Sequence, residues 1–205
     1  MKELTAEERL FLHKHKIPVS SVMDARKMMS HSYGITLHIV GKQIAVVGYR
    51  CKRGHRLRTA SGNCPQCNTA NLAFQRRQST RGYVYIAGSR AAEFVKVGST
   101  TDITKRENEL RDQAYASRTD WLMLLHVRCD RSGHIETELH KLLEKHRVAA
   151  QHFKEGQMRD CREVFDCSFH IAKFNLSRLL NSEQMARAWE NPAADKFYRF
   201  LKQAR

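Results

Sequence analysis

The sequence predicts an α+β fold built on a small three-stranded antiparallel sheet flanked by helices. Two runs of β-forming residues, 83–86 and 94–97, are separated by a short segment with Gly88 and Ser89, which is typical of a hairpin. A third apolar run at 121–127 predicts the remaining strand. Residues with helical spacing at 103–114 and 133–147 predict the helices that cover this sheet.

Around this main domain we expect three further segments. The predicted order is an N-terminal helical region at 1–33, a hairpin plus a metal-binding ribbon at 34–78, the main domain at 79–178 and a C-terminal helical tail at 179–205. Thr5 and Glu8 fit a capping box for the first helix. We expect a second short helix through 20–29, a hairpin with strands at 35–40 and 43–47, a linker at 68–80, and a tail split in two by Pro192.

A cluster of cysteines and one histidine predicts a zinc ribbon that holds one Zn²⁺. The chain has six cysteines, and the clustered ones occur as Cys51-x-x-x-His55 followed by Cys64-Pro-Gln-Cys67. Two such short knuckles can offer three thiolates and one imidazole to a tetrahedral ion. A redox Cys-Pro-Gln-Cys pair and chance clustering are the alternatives. The redox interpretation lacks the strand–helix context of a thioredoxin-like motif and leaves Cys51 and His55 unexplained.

The charge distribution favours a polyanionic partner, and nucleic acid, expected to be DNA, is the usual one. The formal net charge is +15, and residues 25–92 contain twelve Lys and Arg and no Asp or Glu. No apolar run approaches the roughly 18 residues that a membrane span needs, and no secretory signal is evident, so we expect a cytoplasmic protein without membrane partners. The side chains expected to contact phosphates are Lys52, Arg53, Arg56, Arg58, Arg76 and Arg77.

The main domain resembles the GIY-YIG nucleases, in the phage and bacterial branch that carries Lys-Val-Gly in its second motif. Tyr83-Val84-Tyr85 and Lys96-Val97-Gly98 stand where that family has its two name-giving tripeptides. Arg106 follows at the family's spacing, and the segment 135–141 resembles its glutamate-bearing helix. The resemblance covers roughly residues 80–155.

The resemblance implies a metal-dependent endonuclease that hydrolyses DNA phosphodiester bonds. Tyr85 would be the general base or its relay, Arg106 would bind the scissile phosphate, and Glu136 would hold one Mg²⁺ or Mn²⁺. His140 lies one helical turn after Glu136, and we expect it to be a catalytic residue as well. We expect Lys96 to act on Tyr85 through its charge, and a phosphate contact by Lys96 is the simpler alternative.

Departures from the family pattern keep other functions open. Tyr83 replaces the first glycine and Lys96 the second tyrosine, and Gln151 or His152 stands near the position of the family's asparagine. A catalytically inactive nucleic-acid-binding protein on this scaffold is therefore the main alternative. A zinc-stabilised protein-interaction adaptor is a weaker one, because the acid-free stretch argues against it. For the tail, docking on the core and a homodimer interface both remain open.

Overall fold

The computed structural model describes residues 4–29, 32–154 and 156–200 of the chain. The chain divides into two compact units, Met1–Arg76 and Arg77–Arg205. Helices and strands alternate in both units, and the strands form several small sheets, which confirms the predicted α+β class. Within the described ranges, no helix is long and apolar enough to cross a membrane.

The first unit is built around a small mixed sheet. Strand β1 pairs with β2 in parallel, and β2 pairs with β3 antiparallel. The elements, in chain order, are α1 (Ala6–Lys14), β1 (Val22–Ala25), α2 (Tyr33–Ile39), β2 (Ile44–Val47), β3 (Leu57–Arg58) and α3 (Ala70–Ser79).

Strand β2 is buried on both faces and therefore forms the centre of this unit. Ile44 and Val46 pack in one apolar cluster that includes Leu12 of α1. Ala45 and Val47 point to the opposite face, as successive side chains in a strand must, and form a second cluster. This is why the run 44–47 is apolar throughout and does not alternate.

The predicted hairpin over 35–47 is wrong in its first half, because residues 33–39 form helix α2. Tyr33 and Leu37, four residues apart, are both buried against β2. Only a helix places these two residues on one face while leaving Ile35 and Ile39 exposed. The β-branched residues that suggested a strand are on the solvent side, so burial decided the outcome over β-propensity.

Two other expectations for the N-terminal half are also corrected. Residues 22–25 form strand β1 where we expected a helix, and Val22 and Ala25 enter the two different clusters on either side of the sheet. The expected linker at 68–80 contains helix α3, which buries Leu72. The capping box of Thr5 and Glu8 at the start of α1 is confirmed. Residues 1–3, 30 and 31 of the predicted helical region lie outside the described residues.

The second unit contains the predicted hairpin and third strand as the centre of a larger sheet. Its elements are β4 (Gly82–Ser89), β5 (Phe94–Thr100), α4 (Ile103–Asp112), β6 (Leu122–Cys129), α5 (Ser132–Leu142), β7 (Ala150–Lys154), β8 (Gln157–Cys161), β9 (Val164–Phe165), α6 (Phe169–Ser177), α7 (Ser182–Ala186), β10 (Trp189–Glu190) and α8 (Ala194–Phe197). Within the described residues the sheet has five antiparallel strands, in the order β10-β6-β4-β5-β9. The expected three strands are its middle, and two short strands were missed.

The two faces of this sheet carry separate apolar clusters. Val84 and Ile86 of β4 face the cluster that contains Leu139 of α5 and Phe169 of α6. Tyr85 and Ala87 face the other cluster, with Leu110 of α4 and Trp121 among its members. Strand β4 is thus buried on both sides, and its tyrosine lies on the α4 side.

The C-terminal tail docks on the core of its own unit. Ala194 and Tyr198 are buried in the same cluster as α5 and α6, and β10 adds an edge strand next to β6. The tail does contain two short helices on either side of Pro192. Residues 201–205 lie outside the described residues, and a homodimer through the tail stays a prediction.

Candidate active site and metal centre

The predicted zinc ligands converge in the first unit. One ligand atom from each of Cys51, His55, Cys64 and Cys67 lies within 4.8 Å of the others. The Nδ1 atom of His55 lies 3.3 Å from the sulfur of Cys67 and 3.6 Å from that of Cys64. Three thiols and one imidazole in this spacing fit a tetrahedral Zn²⁺ and match the predicted Cys₃His set.

The local backbone supports ionisation of the first ligand. Burial raises the pKa of Cys51, but backbone N–H groups of His55 and Arg53 outweigh it, and the pKa of Cys51 falls to about 6. Burial and the neighbouring sulfur atoms raise the pKa of Cys67 to about 11. Gly54 forms the turn between Cys51 and His55 with φ of +86°, a conformation that favours glycine. Zn²⁺ binds thiolates, so metal binding to this cluster would release the protons that its thiols still carry.

The basic residues predicted to contact phosphates fall into two groups. Lys52 and Arg53 are exposed at the first knuckle, and Arg76 and Arg77 are exposed on α3, where Arg76 also donates to the backbone carbonyl of His15. Arg56 instead forms a two-point ion pair with Glu8, at 2.9 and 2.8 Å. Arg58 is buried and donates to the backbone carbonyls of His55 and Leu57. These last two guanidinium groups hold the unit together, so we leave them out of the proposed phosphate contacts.

Strand β5 organises the candidate active site in the second unit, because four consecutive residues, Lys96 to Ser99, each contact a candidate residue. Lys96 and Gly98 point to the α4 side of the sheet. Ser99 points to the α5 side, since side chains alternate along a strand.

Tyr85 and Arg106 are brought together on the α4 side. Arg106 donates from Nε to the Tyr85 hydroxyl at 2.9 Å and from Nη1 to Glu109 at 3.1 Å. Burial lowers the pKa of Arg106, but the nearby Tyr85 and Glu109 outweigh it and raise the pKa, so the guanidinium stays charged. Asp102 caps the helix that carries Arg106, as predicted, by accepting from the backbone of Lys105.

Gly98 makes room for the tyrosine. Tyr85 and Gly98 are register partners in the β4–β5 ladder, and the tyrosine ring lies over the glycine. A Cβ atom at residue 98 would lie 2.5 Å from Cζ of Tyr85 and 2.8 Å from Cε1, closer than real Cβ contacts allow. The glycine of the second motif is therefore required by the tyrosine of the first.

Lys96 is completely buried on the same side of the sheet as Tyr85 and Arg106. Its ammonium forms an ion pair with Glu163 and lies 4.4 Å from the ring centroid of Tyr115 and 6.0 Å from that of Tyr85. Burial lowers the pKa of Lys96, but electrostatic interactions with Tyr85 and Glu163 outweigh it and raise the pKa. Because Lys96 is fully covered, its contact with a substrate phosphate, the simpler alternative from the sequence, finds no support here.

Glu136 and His140 lie together on the α5 side. Ser99 donates to Oε2 of Glu136 at 2.5 Å, and Glu136 is 8% exposed. Burial raises the pKa of Glu136, which the hydrogen bond from Ser99 opposes. Nε2 of His140 lies 3.2 Å from the carbonyl oxygen of Val97, and burial lowers the pKa of His140. A neutral His140 therefore donates from Nε2 and keeps Nδ1 as an acceptor.

Glu163 interacts with candidate residues on both sides of the sheet, and the sequence analysis did not identify it. Its carboxylate interacts electrostatically with Lys96, His140 and Arg106, and it raises the pKa of Glu136. Burial raises the pKa of Glu163, but the charge of Lys96 outweighs it, so the carboxylate stays ionised. A lysine within an apolar strand was the available signal, since a buried ammonium requires a counter-charge.

The two residues near the family's asparagine position have other partners. Gln151 donates to Asp160 across the β7–β8 hairpin at 3.0 Å. His152 is buried, with Nδ1 3.0 Å from the sulfur of Cys161 and its ring 4.9 Å from that of Tyr115. Both side chains hold the hairpin together and support the segment that carries Tyr115.

Residues 82–180 match the family model described as the T5orf172 domain. This domain is associated with phage nuclease-type proteins. The matched region contains the candidate catalytic residues of the second unit, from Tyr85 to Glu163, and leaves out the cysteine–histidine cluster. No curated protein and no solved structure matches the chain.

Proposed function

We propose that residues 82–180 form a divalent-metal-dependent endonuclease domain of the GIY-YIG type that hydrolyses DNA phosphodiester bonds. The observation that carries the proposal is the arrangement around β5. A tyrosine–arginine hydrogen bond lies on one side of the strand and a buried glutamate on the other, within the region that matches a nuclease-associated domain.

The cation and the carboxylate have the roles that phosphoryl transfer requires. Arg106 keeps a partly exposed, permanently charged guanidinium that can bind the scissile phosphate. Glu136 offers a carboxylate that would hold one Mg²⁺ or Mn²⁺. When bound, such an ion lowers the pKa of its water and neutralises charge on the phosphoryl oxygens. Release of the Ser99 hydrogen bond would free the carboxylate oxygen for this ligand.

Tyr85 fits a relay better than a direct base. Its side chain is wholly buried and its hydroxyl accepts from Arg106, so it has no surface for an attacking water. A proton could reach it only through a group that touches substrate. In this role Tyr85 also fixes the orientation of Arg106. Lys96, which is paired with Glu163, then acts with it to position Tyr85.

The first unit would supply substrate binding. Three exposed cations of this unit, Lys52, Arg53 and Arg76, are proposed phosphate contacts, and the Cys₃His cluster holds the knuckle that carries the first two. Arg77, the first residue of the second unit, is exposed as well and is a separate proposed contact. Sequence-independent contacts of this kind make binding steeply salt-dependent.

One observation favours a second candidate function. Lys96 replaces the second tyrosine of the family pattern, and its charge is neutralised by Glu163 and not turned to a substrate. A protein with this change could bind DNA through the same surface without cutting it. The two functions differ in one outcome, which is whether cleavage occurs.

The test is nicking of supercoiled plasmid and cleavage of single-stranded DNA with Mg²⁺ or Mn²⁺. We expect metal-dependent nicking by the wild type, a loss of at least about 100-fold in Glu136→Gln, and unchanged nicking in the control Glu138→Gln. Glu138 is on the same helix but pairs with Lys141 at 2.7 Å and is a third exposed. Removal of a group that acts on the developing charge has effects of this size.

Each other outcome has a definite meaning. No cleavage of either DNA, together with tight binding that weakens with salt, would replace the nuclease by the binding protein. Nicking that survives in Glu136→Gln would show that the metal ligand is misplaced. Equal losses in both variants would point to a general effect on α5.

A further inference from the structure

Two consecutive carboxylates of helix α1 contact the segment that carries the zinc ligands. Glu8 pairs with Arg56 through both carboxylate oxygens, at 2.9 and 2.8 Å. The next residue back, Glu7, places Oε1 3.3 Å from Nε2 of His55. Both contacts lie inside the first unit and involve adjacent residues on each side.

The position of Glu7 is fixed by its neighbours. Thr5 and Glu8 close a capping box at the start of α1, and Leu12 anchors the helix in the core, where it is 1% exposed. Glu8 itself is 3% exposed, so its pair with Arg56 is shielded from water. The first turn of α1 is therefore held in place, and Glu7 is presented to His55 although its own side chain is largely exposed.

The two nitrogens of His55 face different partners. Nδ1 faces the sulfurs of Cys64 and Cys67, which places it in the ligand cluster, and Nε2 faces the Glu7 carboxylate. A metal-binding imidazole must present an unprotonated nitrogen to the ion, and its other nitrogen then carries a proton that needs an acceptor. The Glu7 oxygen is placed to accept that proton.

Glu7 also contacts the second knuckle. Gln66, inside the Cys64–Cys67 turn, donates from Nε2 to the same Oε1 atom at 3.2 Å. One carboxylate oxygen thus joins the histidine of the first knuckle to the turn of the second. A side chain in this place can orient ligands from both pairs at once.

We propose that Glu7 is a positioning residue for the metal centre, which holds His55 in the Nε2–H tautomer and couples the docking of α1 to metal binding. The proposal rests on the Cys₃His cluster and is independent of nuclease activity. A carboxylate that accepts from a metal-bound imidazole raises the basicity of the ligand and restrains its ring. Loss of Glu7 should therefore weaken the metal site without removing any ligand.

The experiment measures Zn²⁺ affinity of the full chain by competition with a chromogenic chelator. Partners of this kind are worth about 10–100-fold in metal affinity, and the exposure of Glu7 places it at the lower end. We expect Glu7→Ala to bind Zn²⁺ about 10-fold more weakly than wild type and Glu7→Gln, which keeps a neutral acceptor, to lie between the two. Asp24→Asn, which removes an exposed carboxylate of β1 that pairs with Arg26, is the matched control and should bind as wild type does.

Two further readouts separate positioning from general stability. In the zinc-loaded wild type, NMR should show a slowly exchanging Nε2 proton on His55 that exchanges faster in Glu7→Ala. The far-UV circular dichroism of the two zinc-loaded proteins should be the same, because no ligand and no core residue has been removed. Equal zinc affinity in wild type and Glu7→Ala, an equal loss in Asp24→Asn, an Nδ1–H tautomer at His55, or no zinc bound by the wild type would each overturn the proposal.

Discussion

The side chain of Lys96 carries a full positive charge although it is completely buried. The carboxylate of Glu163 neutralises this charge. An ion pair of this kind need not be more stable than two apolar residues, but removal of one partner leaves the other uncompensated. The consequences for the two residues are unequal, because Glu163 is a third exposed and Lys96 is fully buried.

We therefore expect Glu163→Gln to lower the free energy of unfolding of the second unit by about 3 kcal/mol, the lower end for a broken buried pair. The double variant Lys96→Met/Glu163→Gln should recover much of that loss. The chain's two tryptophans, Trp121 and Trp189, both lie in this unit, so urea unfolding followed by their fluorescence measures it selectively.

The matched control for this cycle is Glu190→Gln. Glu190 pairs with Lys173 where both side chains are about a third exposed, and a pair of this kind contributes about 1 kcal/mol or less. A double variant as unstable as Glu163→Gln alone would contradict the uncompensated-charge argument.

Some site residues were predictable from the sequence for a physical reason. Tyr85, Lys96 and Arg106 are tied by a strand, a tight turn and one helix, so their spacing along the chain is nearly fixed by local geometry. Glu163 lies 67 residues after its partner Lys96 in the sequence, in the short connection that follows the β7–β8 hairpin. No periodicity marks such a residue, and only the three-dimensional packing shows it.

At the scale of elements, the β4–β5 turn has its own support. Ser89 donates to Oδ1 of Asp120 at 2.7 Å, and the backbone N–H of Ala91 donates to Oδ2 at 2.9 Å. Burial raises the pKa of Asp120, but these hydrogen bonds outweigh it and lower the pKa. The ionised carboxylate thus holds the turn closed.

A lowered pKa means that the carboxylate stabilises the fold only while it is ionised. This contribution is complete above the unfolded pKa of about 3.9 and is lost as the pH falls through the lower folded pKa. We expect Asp120→Asn to reduce the free energy of unfolding at pH 7 by about 1 kcal/mol, because the site is partly exposed. The difference from wild type should shrink below about pH 4.

Urea unfolding at pH 7, 5 and 3.5, followed by tryptophan fluorescence, checks this pH dependence. Asp112→Asn, at the exposed end of α4, is the control and should match wild type throughout. A stability difference for Asp120→Asn that persists unchanged at the lowest pH would show that the charge of Asp120 has no part in the turn.

Whether a helix or strand was predicted correctly depended on the length and consistency of its sequence pattern. Strands β4, β5 and β6 and helices α4 and α5 have long, consistent patterns and were predicted. Helix α2 was misread because β-branched residues lie on its exposed side, and β9 and β10, of two residues each, are too short to have a pattern. These elements form because partners elsewhere in the chain offer an edge or a face to pack on.

At the scale of the whole molecule, charge and aromatic content are unevenly divided. Residues 1–76 contain 13 Lys and Arg against 4 Asp and Glu, whereas residues 77–205 contain 23 against 17. The first unit thus has the larger excess of positive charge for its size, and the second has both tryptophans and the candidate active site. This division agrees with the proposal that one unit binds substrate while the other cuts.

Each unit also has its own hydrophobic core, and the first is small. Among the described residues, its two apolar clusters contain twelve buried residues, whereas the main cluster of the second unit contains eighteen. Small cores often need a metal or a cross-link to stay folded, and a structural Zn²⁺ contributes directly to folding free energy. The first unit should therefore depend on its metal centre far more than the second does.

Removal of Zn²⁺ by a chelator should unfold the first unit and leave the second intact. Far-UV circular dichroism without urea should therefore show a loss of structure on chelation. Urea titrations of the zinc-loaded and chelated proteins are then compared by fluorescence. The midpoint seen by tryptophan fluorescence should stay unchanged, because both tryptophans report on the second unit. Plasmid binding by the chelated protein should weaken, and readdition of Zn²⁺ should restore it. A tryptophan midpoint that shifts together with the circular dichroism signal would show that the two cores unfold as one.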